Sequence, residues 1–168
     1  MLEIEYQEIY YDNNLSSKQR RDLEHNLAYS LLSNMLKRYF NIENYTIIKN
    51  ENGKPYIDKK GVYFNISHTN GLVACAVSDT EVGIDCEKID KAYDKRVQKF
   101  AKRYFVENEI KLLESSNFDL CVFFRLWTSK EAIIKKLGGN MSLLKKIDTT
   151  KKKTEVITFK DYIISISQ

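Results

Sequence analysis

Proline is nearly absent from this chain, one in 168 residues, and glycine is held to six. That leaves no Pro/Gly-rich linker between independent domains, and no solenoid-length repeat or low-complexity tract is present. One domain, or two small lobes sharing a core, is expected. The three cysteines, Cys75, Cys86 and Cys121, form no C-x-x-C pair and stand among apolar neighbours. They read as small core residues rather than metal ligands or disulfides. No apolar run approaches the roughly 20 residues that cross a bilayer, so no membrane partner is expected. The opening MLEIEYQEIYYD carries acids where a leader needs a basic and then an apolar region; no signal peptide is read there, and the cytoplasm is the expected location.

Charge is mild: a net +4 and a pI near 8.8 favour anionic partners without naming one. An acidic protein or a phosphorylated small molecule fits. Nucleic acid is not expected, because the basic residues are spread along the chain and no zinc-finger or RNA-recognition signature appears.

The β-branched and aromatic run at 3–11 predicts a first strand. From Ser17, capped by Ser16 or Ser17, Leu23, Leu27, Leu31, Met35 and Tyr39 recur at helical spacing. Asn52-Gly53-Lys54-Pro55 is a turn. Residues 62–87 read as a three-stranded meander with Asn70-Gly71 as its first hairpin, and with Val82, Ile84 and Cys86 opposite Gly83, Asp85 and Glu87 on the third strand. Helical patterns follow from Tyr93 to Tyr104, around Ile110–Leu113, and from Asp119 to Gly138-Gly139. A hairpin turning at Lys160-Asp161 ends the chain. The class is α+β.

Thr128-x-x-Glu131 has capping-box spacing, yet a helix beginning near Asp119 puts Glu131 mid-helix, where no free N–H needs it. Asp85 and Glu87, i,i+2 on one strand face, lie about 6.8 Å apart along the chain. Alone, such a D-x-E reads as a solvated face. With Glu131 from a helix laid across the sheet, three carboxylates suit a hard cation such as Mg²⁺, which prefers oxygen ligands and substrate phosphates. Gly83 would leave room for a ligand. Lys135, one turn after Glu131, either pairs with it or reaches a phosphate. Ser67 and His68 at a strand end can donate to an anion. No third group completes a hydrolase triad, and the G-x-S-x-G elbow is missing. His25 reads as surface.

Four segments stand in order: GKPYI at 53–57, FNISHT at 64–69, VGIDCEKI at 82–89 and LWTSKEAIIKKLGGNMSL at 126–143. Together they resemble the 4'-phosphopantetheinyl transferase superfamily, particularly the surfactin-synthetase-activating type, over most of residues 16–143. The resemblance implies two pseudo-twofold-related lobes, each a small antiparallel sheet packed with helices, about 1–88 and a shortened 89–168. It implies a monomer that uses Mg²⁺ to move the 4'-phosphopantetheine arm of coenzyme A onto a serine of an apo acyl or peptidyl carrier protein, releasing adenosine 3',5'-bisphosphate. Asp85, Glu87 and Glu131 match the family's metal-binding acids. Glu131, or a water on the metal, is implied as the proton acceptor, and Lys135 as the phosphate contact placed to protonate the leaving group. Gly53, Lys54, Pro55, Ser67, His68 and Lys130 match coenzyme A contacts, and Glu109 a further acid proposed as a base. Where the family usually carries an arginine for the 3'-phosphate, Tyr29 stands, leaving Arg20 or Arg21 as substitutes. The alternative is a non-catalytic relative that binds coenzyme A or a carrier.

Overall fold

The computed structural model describes residues 1–12 and 14–168. In chain order the elements are β1 (Leu2–Glu8), α1 (Ser17–Phe40), β2 (Ile47–Lys49), β3 (Pro55–Ile57), β4 (Tyr63–Thr69), β5 (Leu72–Ser78), β6 (Gly83–Lys88), α2 (Val97–Tyr104), α3 (Glu107–Ser115), α4 (Leu120–Leu137), β7 (Glu155–Phe159) and β8 (Tyr162–Ser167). They form antiparallel sheets β1-β5-β4 and β6-β8-β7, plus the small hairpin β2-β3. The fold is thus α+β, small antiparallel sheets packed with helices. Both three-stranded sheets share one connectivity, in which a strand and a helix precede a hairpin whose second strand takes the middle.

The expected meander is corrected at its third strand. β4 and β5 pair across Asn70-Gly71, but the free edge of β5 is taken by β1, with Glu5 opposite Cys75. β6 pairs instead with β8, Asp85 opposite Ser165. Its apolar face still meets β5, by stacking rather than by pairing: Val82, Ile84 and Cys86 pack with Leu72, Ala74 and Ala76 and with Ile164 and Ile166 between the sheets. Burial of alternate residues on both strands is satisfied either way, so period alone could not choose.

Each sheet carries helices on its outer face. Val73, Cys75 and Val77 of β5 pack under Leu32, Met35 and Leu36 of α1. The buried stripe of α1 is Ala28, Leu31, Leu32, Met35 and Leu36, with Glu24 among them, whereas Leu23 is exposed, so the expected stripe is rotated. Ser16 caps α1 in a full capping box with Gln19, and Asn41 ends it with φ +54°. On the other side Ile163 of β8 lies under Phe123 and Phe124 of α4, together with Val97, Ala101 and Leu113 from α2 and α3. Cys75 and Cys86 are buried and Cys121 half-buried, all as free thiols.

α4 starts at Asp119, whose Oδ1 accepts from Val122 N at 3.0 Å, and stops at Gly138 with φ +63°. Thr128 is therefore no cap. Its hydroxyl bonds back to the Phe124 carbonyl at 2.8 Å and meets Ser165 Oγ at 2.7 Å. The helix crosses β6 at Gly83, where a Cβ would stand 2.0 Å from the Ala132 carbonyl oxygen and 2.4 Å from Lys136 N. The room expected beside Gly83 for a ligand is thus filled by helix backbone. Gly83→Ala should lower unfolding free energy by at least about 2 kcal/mol through overpacking against backbone that cannot yield, a loss measurable by urea denaturation.

Candidate active site

The edges of β4 and β6 lie side by side, joined by side chains instead of a ladder. Asn65, Ser67 and Thr69 alternate along β4 toward β6. Asn65 Oδ1 accepts from Ile84 N at 2.9 Å, Ser67 Oγ accepts from Cys86 N at 3.2 Å, and Thr69 Oγ1 donates to Glu87 Oε2 at 3.2 Å. Ser67 also donates to Asp85 Oδ1 at 3.0 Å and accepts from Lys135 Nζ at 2.9 Å, so its hydroxyl is fully used. Lys135 Nζ completes the knot with Asp85 Oδ1 at 2.7 Å. It therefore pairs across the seam rather than with Glu131 on its own helix.

Two carboxylate oxygens here, Asp85 Oδ2 and Glu131 Oε1, are buried without a hydrogen-bond partner. Such orphans are rare and need a counterpart. Burial, reinforced by the negative charge of Asp85, pushes Glu87 up to about 7, and the same two causes raise Glu131 above the usual carboxylate range. Burial opposes the charge of Lys135, but Asp85 beside it holds the ammonium above its ordinary value. Acids that repel one another and are short of partners fit a small divalent cation. Among the described residues no three His, Cys, Asp or Glu side chains form a ready metal cage; a cation that takes one or two carboxylates and completes its shell with phosphate and water does not need one.

A cleft of about 350 Å³ adjoins the knot and brings Gly53, Lys54, Pro55, His68 and Lys135 together. Lys54, from the β2-β3 turn, donates to the Lys136 carbonyl at 2.7 Å and pairs with Glu81, strapping the hairpin to the end of α4. Ser67 lies behind the cleft wall, bonded to Lys135. The cleft also has residues that sequence reasoning missed or set aside: Asn65, Gly138-Gly139, and His25 with Tyr29 on α1, their rings 4.6 Å apart. For Asn65 and Thr69 a signal existed, the period-two run of small polar residues N-x-S-x-T along one face of a strand.

Lys130, Arg20 and Arg21 are not brought to the cleft, a correction to their expected role. Lys130 is fully buried: Nζ pairs with Glu109 at 2.8 Å and donates to the carbonyls of Leu144, at 2.7 Å, and Ile147. Glu109, equally buried, accepts from Val106 N and Thr149 N, each at 2.9 Å, and from Thr149 Oγ1 at 2.7 Å. Successive helical residues point about 100° apart, so Glu131 toward the seam sends Lys130 into the packing of α3 and the 141–151 turns. Arg20 lies over the Tyr11 ring at 5.3 Å and donates to the Leu15 carbonyl at 3.2 Å; Arg21 is exposed.

The chain belongs to the 4'-phosphopantetheinyl transferase superfamily, whose model matches residues 81–165. It is 38% identical over 141 residues to the 4'-phosphopantetheinyl transferase gsp of Aneurinibacillus migulanus, covering 78% of this chain and 57% of that protein. Against HetI of Nostoc it is 36% identical over 110 residues, 61% of this chain and 46% of the relative. Against Sfp of Bacillus subtilis strain 168 the identity is 38% over 96 residues, 55% of this chain and 41% of the relative. The chain thus spans about half the length of the curated relatives it matches.

Two outcomes follow from the buried charges. Lys130→Met, which strands Glu109 in the interior, should cost about 3–5 kcal/mol in chemical denaturation, with much of that loss recovered when Glu109→Leu is added. Glu87 is raised in the folded chain to about 7 from an ordinary 4.5, so its contribution to stability is complete below pH 4.5 and is lost as pH rises through 7. Without divalent cations, the stability of Glu87→Gln relative to the parent should therefore increase between pH 5 and 7.5 in parallel urea titrations.

Proposed function

We propose that the protein is a Mg²⁺-dependent 4'-phosphopantetheinyl transferase that moves the arm of coenzyme A to a serine hydroxyl of an apo acyl or peptidyl carrier protein. The observation that carries this is the pair of partnerless buried oxygens, Asp85 Oδ2 and Glu131 Oε1, beside Lys135 at the end of a cleft. Asp85, Glu87 and Glu131 would hold the cation, which when bound supplies charge neutralisation for the pyrophosphate. Lys135 would donate to a phosphate oxygen, and Ser67 holds Lys135 in place. His68, Gly53, Lys54 and Pro55 would bind the rest of coenzyme A in the cleft. Glu131 would take the proton of the carrier serine, directly or through a water. The serine Oγ–P bond then forms as the bond from that phosphorus to the bridging oxygen breaks, and adenosine 3',5'-bisphosphate leaves. The relatives named above as 4'-phosphopantetheinyl transferases support this reaction.

The reading has the protein work as a monomer of two lobes in the cytoplasm, without nucleic acid or membrane. No helix among the described residues is long and apolar enough to cross a membrane. Tyr29 on the cleft, in place of a cation, favours the second reading, a relative that binds coenzyme A or a carrier without turnover.

Incubation with coenzyme A, Mg²⁺ and a panel of apo carrier proteins should add the mass of the arm to at least one carrier, and Glu131→Gln should slow this about 100-fold or more. Coenzyme A binding with no mass shift on any carrier would leave the binding module as the better account.

A further inference from the structure

Among the buried residues of α1 stands one carboxylate, Glu24, in a row of Ala28, Leu31, Leu32, Met35 and Leu36. An acid there is costly unless both oxygens are paired, and both are. Oε1 accepts from the hydroxyl of Tyr11, and Oε2 lies 3.0 Å from His68 Nδ1. The Tyr11 hydroxyl in turn accepts from Gly71 N at 3.1 Å. Burial and the bond to Glu24 push Tyr11 up to about 12, so it remains the donor. A relay of fixed hydrogen bonds therefore runs from the β4-β5 turn through Tyr11 and Glu24 to His68, which lines the cleft.

The other basic groups on the cleft are differently placed. Lys54 is engaged by Glu81 and the Lys136 carbonyl, Lys135 by Asp85 and Ser67, and His25 packs against Tyr29 with the rings tilted by 45°. With Nδ1 engaged by Glu24, the second ring nitrogen of His68 is left for a ligand. We propose that Glu24 is a positioning residue for anion binding: it holds His68 through Nδ1–H, so that Nε2 is the nitrogen offered to a phosphate in the cleft. The logic is that of a ring whose tautomer is set by the bond its other nitrogen makes. The proposal rests on the transferase reading for the identity of the ligand, a phosphate group of coenzyme A.

The test is a double-mutant cycle read by calorimetric titration with coenzyme A, which needs no turnover. Glu24→Gln, nearly isosteric, should weaken binding roughly 5-fold, the coupling expected of contacting residues, and raise KM with kcat unchanged. In a His68→Ala background it should have no further effect. The chain has two histidines, so His25→Gln leaves a single imidazole whose ¹⁵N spectrum should show Nδ1 protonated in the ligand-free protein and that preference lost on adding Glu24→Gln. An equal loss of affinity from Glu24→Gln in the His68→Ala background, or a ring with bare Nδ1, would overturn the proposal. Failure of the parent to bind coenzyme A, with the ¹⁵N signature intact, would overturn instead the transferase reading and with it the ligand named here.

Discussion

The seating of α4 on Gly83 is the contact from which the rest of the site follows. With helix backbone where a side chain would otherwise stand, the Ala132 carbonyl and the Lys136 amide approach β6 more closely than any residue with a Cβ permits. At that distance Glu131 and Lys135, one turn apart on the same helix face, come down over the strand carrying Asp85 and Glu87. A wider crossing would leave the four groups as separate surface charges, each solvated and weakly coupled. Close seating instead desolvates them, and desolvation is what lifts Glu87 and Glu131 and makes Asp85 govern its neighbours.

The seam between the sheets shows how such a crowd of charge is tolerated. Asn65, Ser67 and Thr69 use side chains to satisfy backbone and carboxylate groups at an edge where no strand can pair. Ser67 uses its entire hydrogen-bonding capacity on the Cys86 amide, Asp85 and Lys135, and so holds the last two in register. What is left over, one oxygen each on Asp85 and Glu131, is the chemical opening of the site. Because buried polar networks stabilise only when complete, those two atoms mark where a ligand contributes most.

Lys130 and Glu131 show how one helical turn can serve two environments. Glu131 joins the seam, while Lys130 turns into the core and ties Glu109 and the carbonyls of Leu144 and Ile147 to α4. Burial alone lowers the Lys130 ammonium from its ordinary value, and Glu109 opposes that shift. With all donors and acceptors paired, this ion pair acts as an anchor for the segment that follows the helix, and through it for the rotation of α4 over β6.

Much of this was legible from residues in order. The breaks at Asn70-Gly71 and Lys160-Asp161, the cap at Asp119 and the left-handed stop at Gly138 are local chemistry, decided by a few neighbouring residues, and the helices and hairpins between them follow from period. So does the candidacy of Asp85, Glu87, Glu131 and Lys135, since strand and helix spacing place each set on one face. The sequence by itself thus determined the α+β class, most of the elements and the acids of the candidate site. It could not say that β6 leaves β5 for β8, because both arrangements bury Val82, Ile84 and Cys86. Spacing sets Lys130 off the face that Glu131 shares with Lys135, but it could not show that Lys130 is buried against Glu109, nor that Glu24 meets His68, 44 positions away. Those were decided by tertiary structure alone: pairing partner, helix rotation and the company of a buried charge depend on which surfaces meet, and no periodicity within a segment encodes the surface it will meet.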